Sequence, residues 1–195
     1  MIEVDDMIRR DYLTASGLLT VGVAGCTGVK GKTQLTPEDV VTDSSSSILP
    51  FSKGGEHVLN IQFQKQFHND EKPEYYPFYI SSWQRDGVRL DSLRLEFRSP
   101  PYTGGYSPAG ISLREDAHAH KATLSRDGDD PSTTILDLSD TTDIGHGSVV
   151  VDLLLSADHA QNPQELWIGT EATLSSDSFL EADYRATGDF TVKFP

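Results

Sequence analysis

From His57 onward the apolar residues recur at every second position, and that spacing constrains the fold more than any other feature. Leu59, Ile61 and Phe63 alternate with Asn60, Gln62 and Gln64, and Leu93, Leu95 and Phe97 alternate with Arg94, Glu96 and Arg98. Such alternation turns one face of an extended segment to a core and the other to water. Phe78–Trp83, Ile111–Arg114, Ala122–Ser125, Thr133–Leu138, Leu166–Leu174 and Phe190–Phe194 read as further strands. Val149–Leu155 is almost continuously apolar and suits a central strand. Turn clusters separate them: Asp86-Gly87, Ser99-Pro100-Pro101, Thr103-Gly104-Gly105, Asp127–Pro131 and His159–Pro163. No stretch sustains helical spacing with caps. The expectation is an all-β fold over residues 56–195, a two-sheet antiparallel β-sandwich, immunoglobulin-like or jelly-roll-like.

Residues 26–55 read differently. Ser44–Ser47 is a run of serines, flanked by Gly28, Gly31, Gly54 and Gly55. This composition predicts a flexible tether, with a short strand at Asp39–Thr42 as the part able to join the domain.

The N-terminus has the three-part layout of an export signal: Arg9-Arg10, then an apolar but glycine-diluted stretch over Leu13–Ala24, then Val23-Ala24-Gly25-Cys26. The stretch falls short of the ~20 predominantly apolar residues that a membrane span wants. The arginine pair, with Tyr12 and Leu13 after it, resembles a twin-arginine signal. Val23–Cys26 resembles a lipobox, and Cys26 is the only cysteine in the chain. Residues 1–25 are therefore expected to be a signal peptide. Its true start is expected at Met7, because Glu3, Asp5 and Asp6 do not suit a signal's first segment. The resemblance implies export in the folded state, and a lipid on Cys26 holding the domain at the outer face of the cell membrane. Stable anchoring takes about two acyl chains, which the lipids implied here carry.

The charge balance is 16 Lys+Arg against 30 Asp+Glu, a net −14. An acidic chain of this kind does not offer the basic face that phosphate binding needs, so nucleic acid is not an expected partner. Aspartate outnumbers glutamate and lysine is scarce. That surface resembles proteins of salt-loving archaea, in which twin-arginine lipoproteins abound, so the whole chain resembles a haloarchaeal twin-arginine-exported lipoprotein. Self-repulsion at this charge destabilises a compact state unless salt screens it.

A single cysteine leaves no internal disulfide, four-cysteine zinc site or iron–sulfur cluster. Committed to a lipid, Cys26 also leaves no cysteine nucleophile and no blue-copper ligand. His118-Ala119-His120 places two imidazoles on one side of an extended segment, with Asp116 in phase and His146 as a distant partner. The cupin family uses His-x-His on a β-sandwich barrel, but its following Glu is absent from Lys121–Arg126, so that resemblance is not carried over. Asp127-Gly128-Asp129-Asp130 resembles part of a calcium loop that Pro131 and Ser132 break, and reads as an acidic turn. Gly105–Gly110 is one residue too long for a nucleophile elbow.

Two aromatic stretches, Tyr75–Tyr79 and Pro101–Tyr106, are candidates for a binding face, with Tyr102 and Tyr106 as contacts. Phe78 and Tyr76 are expected in the core. The sequence thus reads as a lipid-anchored extracytoplasmic protein with a non-enzymatic binding or structural role. Its partners would be the membrane, through Cys26, and a cell-surface protein or glycan, and no cofactor is implied. The alternative is a metal-binding enzyme or metal carrier built on His118 and His120.

Overall fold

The computed structural model describes residues 31–67, 75–98, 110–114, 121–130, 132–139, 141, 148–156, 165–178 and 181–194. They form two packed sheets. Sheet A has the order β1 (Lys32–Gln34), β13 (Asp183–Lys193), β12 (Glu165–Ser176), β7 (Val88–Arg98), β10 (Thr133–Ser139) and β9 (Ala122–Arg126). Sheet B has the order β2 (Thr36–Pro37), β4 (Ser46–Lys53), β5 (Glu56–Lys65), β6 (Tyr75–Gln84), β11 (Val149–Ser156) and β8 (Gly110–Leu113), with β3 (Val41–Thr42) also paired to β4. Every pairing is antiparallel except β1 with β13, which is parallel. The expected β-sandwich is the fold.

The alternation read from the sequence is the cause. Along β5 and β7 the apolar residues are buried and the polar ones between them half-exposed. Phe51, Ile61, Phe63, Phe78 and Ile80 of sheet B meet Leu95, Phe97, Ile168 and Leu174 of sheet A in one continuous core. At one end Phe63 stacks on Phe78 at 4.9 Å, while Phe67 and Tyr76 pack on Phe194 at 5.9 and 5.3 Å. At another corner the Arg85 guanidinium reaches Glu56 at 2.8 Å and Glu181 at 3.2 Å, tying β5 to the entry of β13.

One expectation needs correction. The tether does not extend to residue 55, because from Lys32 the chain is strand. Leu35, Leu49 and Phe51 are core residues, and Ser46 and Ser47 are buried. The serine run works as turn chemistry instead. Asp43 Oδ1 accepts the backbone N–H groups of Ser45 and Ser46 at 2.7 and 2.6 Å, and Oδ2 accepts the Ser46 hydroxyl at 2.9 Å, which closes the β3–β4 turn. Gly54 and Gly55 have φ of 61° and 86°, the left-handed pair that a two-residue hairpin requires. β11 is the central strand expected. It has a neighbour on each side, yet its residues alternate buried and half-exposed, so Val150 and Leu154 face outward beside the edge strand β8.

Candidate binding faces

The outward residues of β6 are Tyr75, Pro77, Tyr79, Ser81 and Trp83, the inward ones Tyr76, Phe78, Ile80, Ser82 and Gln84. Period two therefore aligns three rings on one side of one strand, each separated from the next by a small or compact residue. Tyr75 and Trp83 are each 49% exposed, which is high for rings in the middle of a sheet. Across the ladder, Asn60 stands opposite Trp83, Gln62 opposite Ser81 and Gln64 opposite Tyr79. On the other flank Val150 stands opposite Ser81, Asp152 opposite Tyr79 and Leu154 opposite Pro77.

The amides beside the rings are oriented by a hydrogen-bond chain. Gln62 Nε2 donates to Gln64 Oε1 at 3.1 Å, Gln64 Nε2 donates to Ser45 Oγ at 3.2 Å, and the Ser45 hydroxyl donates to Asp43 Oδ1 at 3.2 Å. Three further donors meet the same carboxylate. The N–H of Ser45, then the hydroxyl and N–H of Ser46, hold the Asp43 pKa down at about 2, against 3.8 ordinarily. Among the outward positions from Ser46 to Pro50, Asn60 to Gln64, Tyr75 to Trp83 and Val150 to Ser156, Asp152 is the one charged residue.

The outer face of sheet A is built from opposite material. Arg94 pairs with Asp137 at 3.0 Å and with Glu96 at 3.6 Å, Arg98 pairs with Glu96 at 3.0 Å, and Arg185 pairs with Glu171 at 2.6 Å. Trp167 lies in this lattice, but its ring is already engaged. It folds over Gly169, where a Cβ would sit 2.5 Å from the indole, and its Nε1 donates to Asp189 at 3.0 Å. The Arg98 guanidinium lies 4.3 Å from the ring centroid. Beside it runs a trough of about 410 Å³ between Arg94, Glu96, Glu171 and Thr187.

A family model described as a domain of unknown function, DUF8121, matches residues 32–195. The chain belongs to the DUF8121 family. No curated protein matches it. Among solved structures it is similar to the collagen-binding domain of a Staphylococcus aureus adhesin, at 10% identity over 67% of this chain and 95% of that one, with a TM-score of 0.38. It is also similar to the collagen-binding subdomain of the Enterococcus faecalis surface protein ACE, at 8% identity over 64% of this chain and 90% of that one, with a TM-score of 0.37. The full-length major pilin SpaD of Corynebacterium diphtheriae shares 9% identity over 78% of this chain and 48% of that one, with a TM-score of 0.38.

The expected site residues of this DUF8121 chain separate into two groups. Arg9, Arg10, Cys26, Tyr102, Tyr106, His118 and His120 lie outside the described residues, as do Asp116 and His146. Those that are described fall as follows. Tyr76 and Phe78 are buried, as expected, and Tyr75 and Tyr79 point outward. The acidic turn spends its carboxylates on itself. Asp130 accepts the N–H of Ser132 at 3.0 Å and the hydroxyl of Thr133 at 2.7 Å, and Asp127 accepts the N–H of Asp129 at 3.1 Å. The Ser132 and Thr133 contacts lower the Asp130 pKa. Among the described residues, no group of three metal-ligating side chains comes together.

Sequence reading missed Trp83 as a member of the aromatic face, along with the amide row beside it. It grouped Tyr75–Tyr79 as a contiguous stretch. The usable signal was parity, which carries Tyr75 and Tyr79 on to Trp83.

Proposed function

We propose that this DUF8121 chain is a lipid-anchored, extracytoplasmic surface protein of a halophilic archaeon with a non-enzymatic binding role, and that its contact surface is the outer face of sheet B. The anchor rests on Arg9-Arg10 and on Val23–Cys26. The binding role rests on one observation: in a chain of net charge −14, the outward positions within Ser46–Pro50, Asn60–Gln64, Tyr75–Trp83 and Val150–Ser156 hold a single carboxylate, Asp152. Carboxylates hold water at a surface and cost desolvation when a partner covers them. A stretch poor in them, bearing exposed rings, avoids that cost where contact is wanted.

The test uses the full chain at molar salt, mixed with isolated cell envelopes of its source. The wild type co-sediments with the envelopes, and Tyr75→Ser combined with Trp83→Ser weakens this about tenfold or more, the equivalent of ~1.4 kcal/mol. Arg94→Ala, on the opposite face, leaves it unchanged. Equal binding by the double variant overturns the contact surface. Mass spectrometry of the membrane fraction finds a lipid on Cys26, and Cys26→Ser releases the chain to the medium. Unmodified Cys26 in that fraction overturns the anchor. The melting temperature falls as salt is lowered, and a salt-independent one overturns the halophilic reading.

A further inference from the structure

The outer face of sheet B carries enough chemistry to name its occupant. We infer that it holds an extended, uncharged polysaccharide strand lying along β6, an inference that rests on the contact-face reading above. Tyr75, Tyr79 and Trp83 are four residues apart along one strand, so their rings recur every ~13 Å and span ~27 Å. Pro77 and Ser81 between them leave room for each ring to act as a separate platform. The C–H-bearing face of a pyranose is apolar and packs flat on an aromatic ring, while its rim of hydroxyls needs donors and acceptors.

The rim chemistry stands beside the rings. Asn60, Gln62 and Gln64 face Trp83, Ser81 and Tyr79 across the ladder. A primary amide carries two donors and an acceptor with two lone pairs, which suits hydroxyls that both give and take protons. The chain from Gln62 through Gln64 and Ser45 to Asp43 fixes the amide orientations before any ligand arrives, so less ordering entropy is lost on binding.

Charge decides the class of polymer. No Lys or Arg points outward from Ser46–Pro50, Asn60–Gln64, Tyr75–Trp83 or Val150–Ser156, and the cation at their margin, Arg114, donates to Gln66 at 3.0 Å, whose amide donates to Asp152 at 3.3 Å, so an anionic polymer finds no row of counter-charges and Asp152 alone offers nothing for a polycation to follow. A protein partner fits less well. The middle of a stable protein interface is apolar and closely packed, whereas the middle of this face is Gln62, Gln64 and Ser81, with Ile48 on one side and Val150 and Leu154 on the other.

The test is affinity electrophoresis and calorimetry of the full chain at molar salt. The probes are mixed-linkage β-glucan, galactomannan and dextran as neutral polymers, polygalacturonate as the charged one, and a ladder of neutral oligosaccharides. At least one neutral polymer binds and polygalacturonate does not. Affinity climbs with oligomer length and levels off once the chain spans ~27 Å. Trp83→Ala costs about tenfold, corresponding to ~1.4 kcal/mol. Gln62→Leu costs a similar factor without unfolding the domain, as its circular dichroism reports. Absence of binding to every neutral polymer, while envelope binding remains sensitive to Tyr75 and Trp83, overturns the polysaccharide and keeps the contact face. Envelope binding abolished by protease treatment of the envelopes points to a protein occupant and also overturns it. If envelope binding ignores both rings, the face itself is wrong.

Discussion

The two outer faces of the sandwich come from the same alternation and carry opposite chemistry. Sheet A spends its outward positions on a lattice of arginines and carboxylates, within which Trp167 is engaged by Gly169, Asp189 and Arg98. Sheet B spends them on amides, hydroxyls and rings, and Trp83 stands half in solvent. Both faces cover one core, so stability alone does not ask for the difference. Exposed ion pairs contribute about 0–1 kcal/mol each, and less as salt rises. The lattice on sheet A therefore serves a solvated surface, and the low charge on the outer face of sheet B is what the proposed contact role rests on.

The largest perturbation should ignore the distinction between faces. Phe63 is fully buried and stacks on Phe78, so Phe63→Ala is expected to cost about 3–5 kcal/mol. Trp83 and Trp167 report from opposite faces, and their unfolding curves should still coincide. Two separate transitions would deny that one core serves both. Next comes Gly169→Val, whose new side chain displaces the Trp167 ring at a cost of about 1–3 kcal/mol. Ser81→Val, the matching change on the other face, should stay within ~0.5 kcal/mol. Equal costs in chemical denaturation would erase the contrast between a filled face and an open one. A double-mutant cycle on Arg94 and Asp137 should return at most ~1 kcal/mol at low salt and close to nothing at molar salt. A coupling that survives brine would make the lattice structural.

The smallest effect concerns the amide chain. The fold depresses the Asp43 pKa, so what the ionised form contributes is whole above the ordinary 3.8 and is lost as pH falls through about 2. The amide resonances of Ser45 and Ser46 should titrate with a midpoint near 2, and a midpoint near 3.8 would detach the chain from its carboxylate.

Much of this architecture was legible in the residues. Leu59–Phe63 and Leu93–Phe97 announced their strands because a half-buried strand writes its face into every second residue. Ser44–Ser47 and Gly54-Gly55 misled because composition is shared by linkers and tight turns, and the difference lies in whether a carboxylate such as Asp43 is placed to take the amides. Tyr75 and Tyr79 were visible as aromatics. The place of Tyr79 between Gln64 and Asp152 was not, since pairing between strands far apart in the chain is set by packing and leaves no local mark.

The parallel pairing of β1 with β13 has a consequence in time. Lys32–Gln34 hydrogen-bond beside Asp183–Arg185, so β1 waits for β13. A nascent domain cannot close sheet A until β13 has been made. Folding of this topology is expected to be slow, since it depends on contacts between distant parts of the chain. Until β13 arrives, Leu35 and its neighbouring strands present apolar surface with nothing to cover it, and a chaperone that holds the unfinished chain would meet that end first.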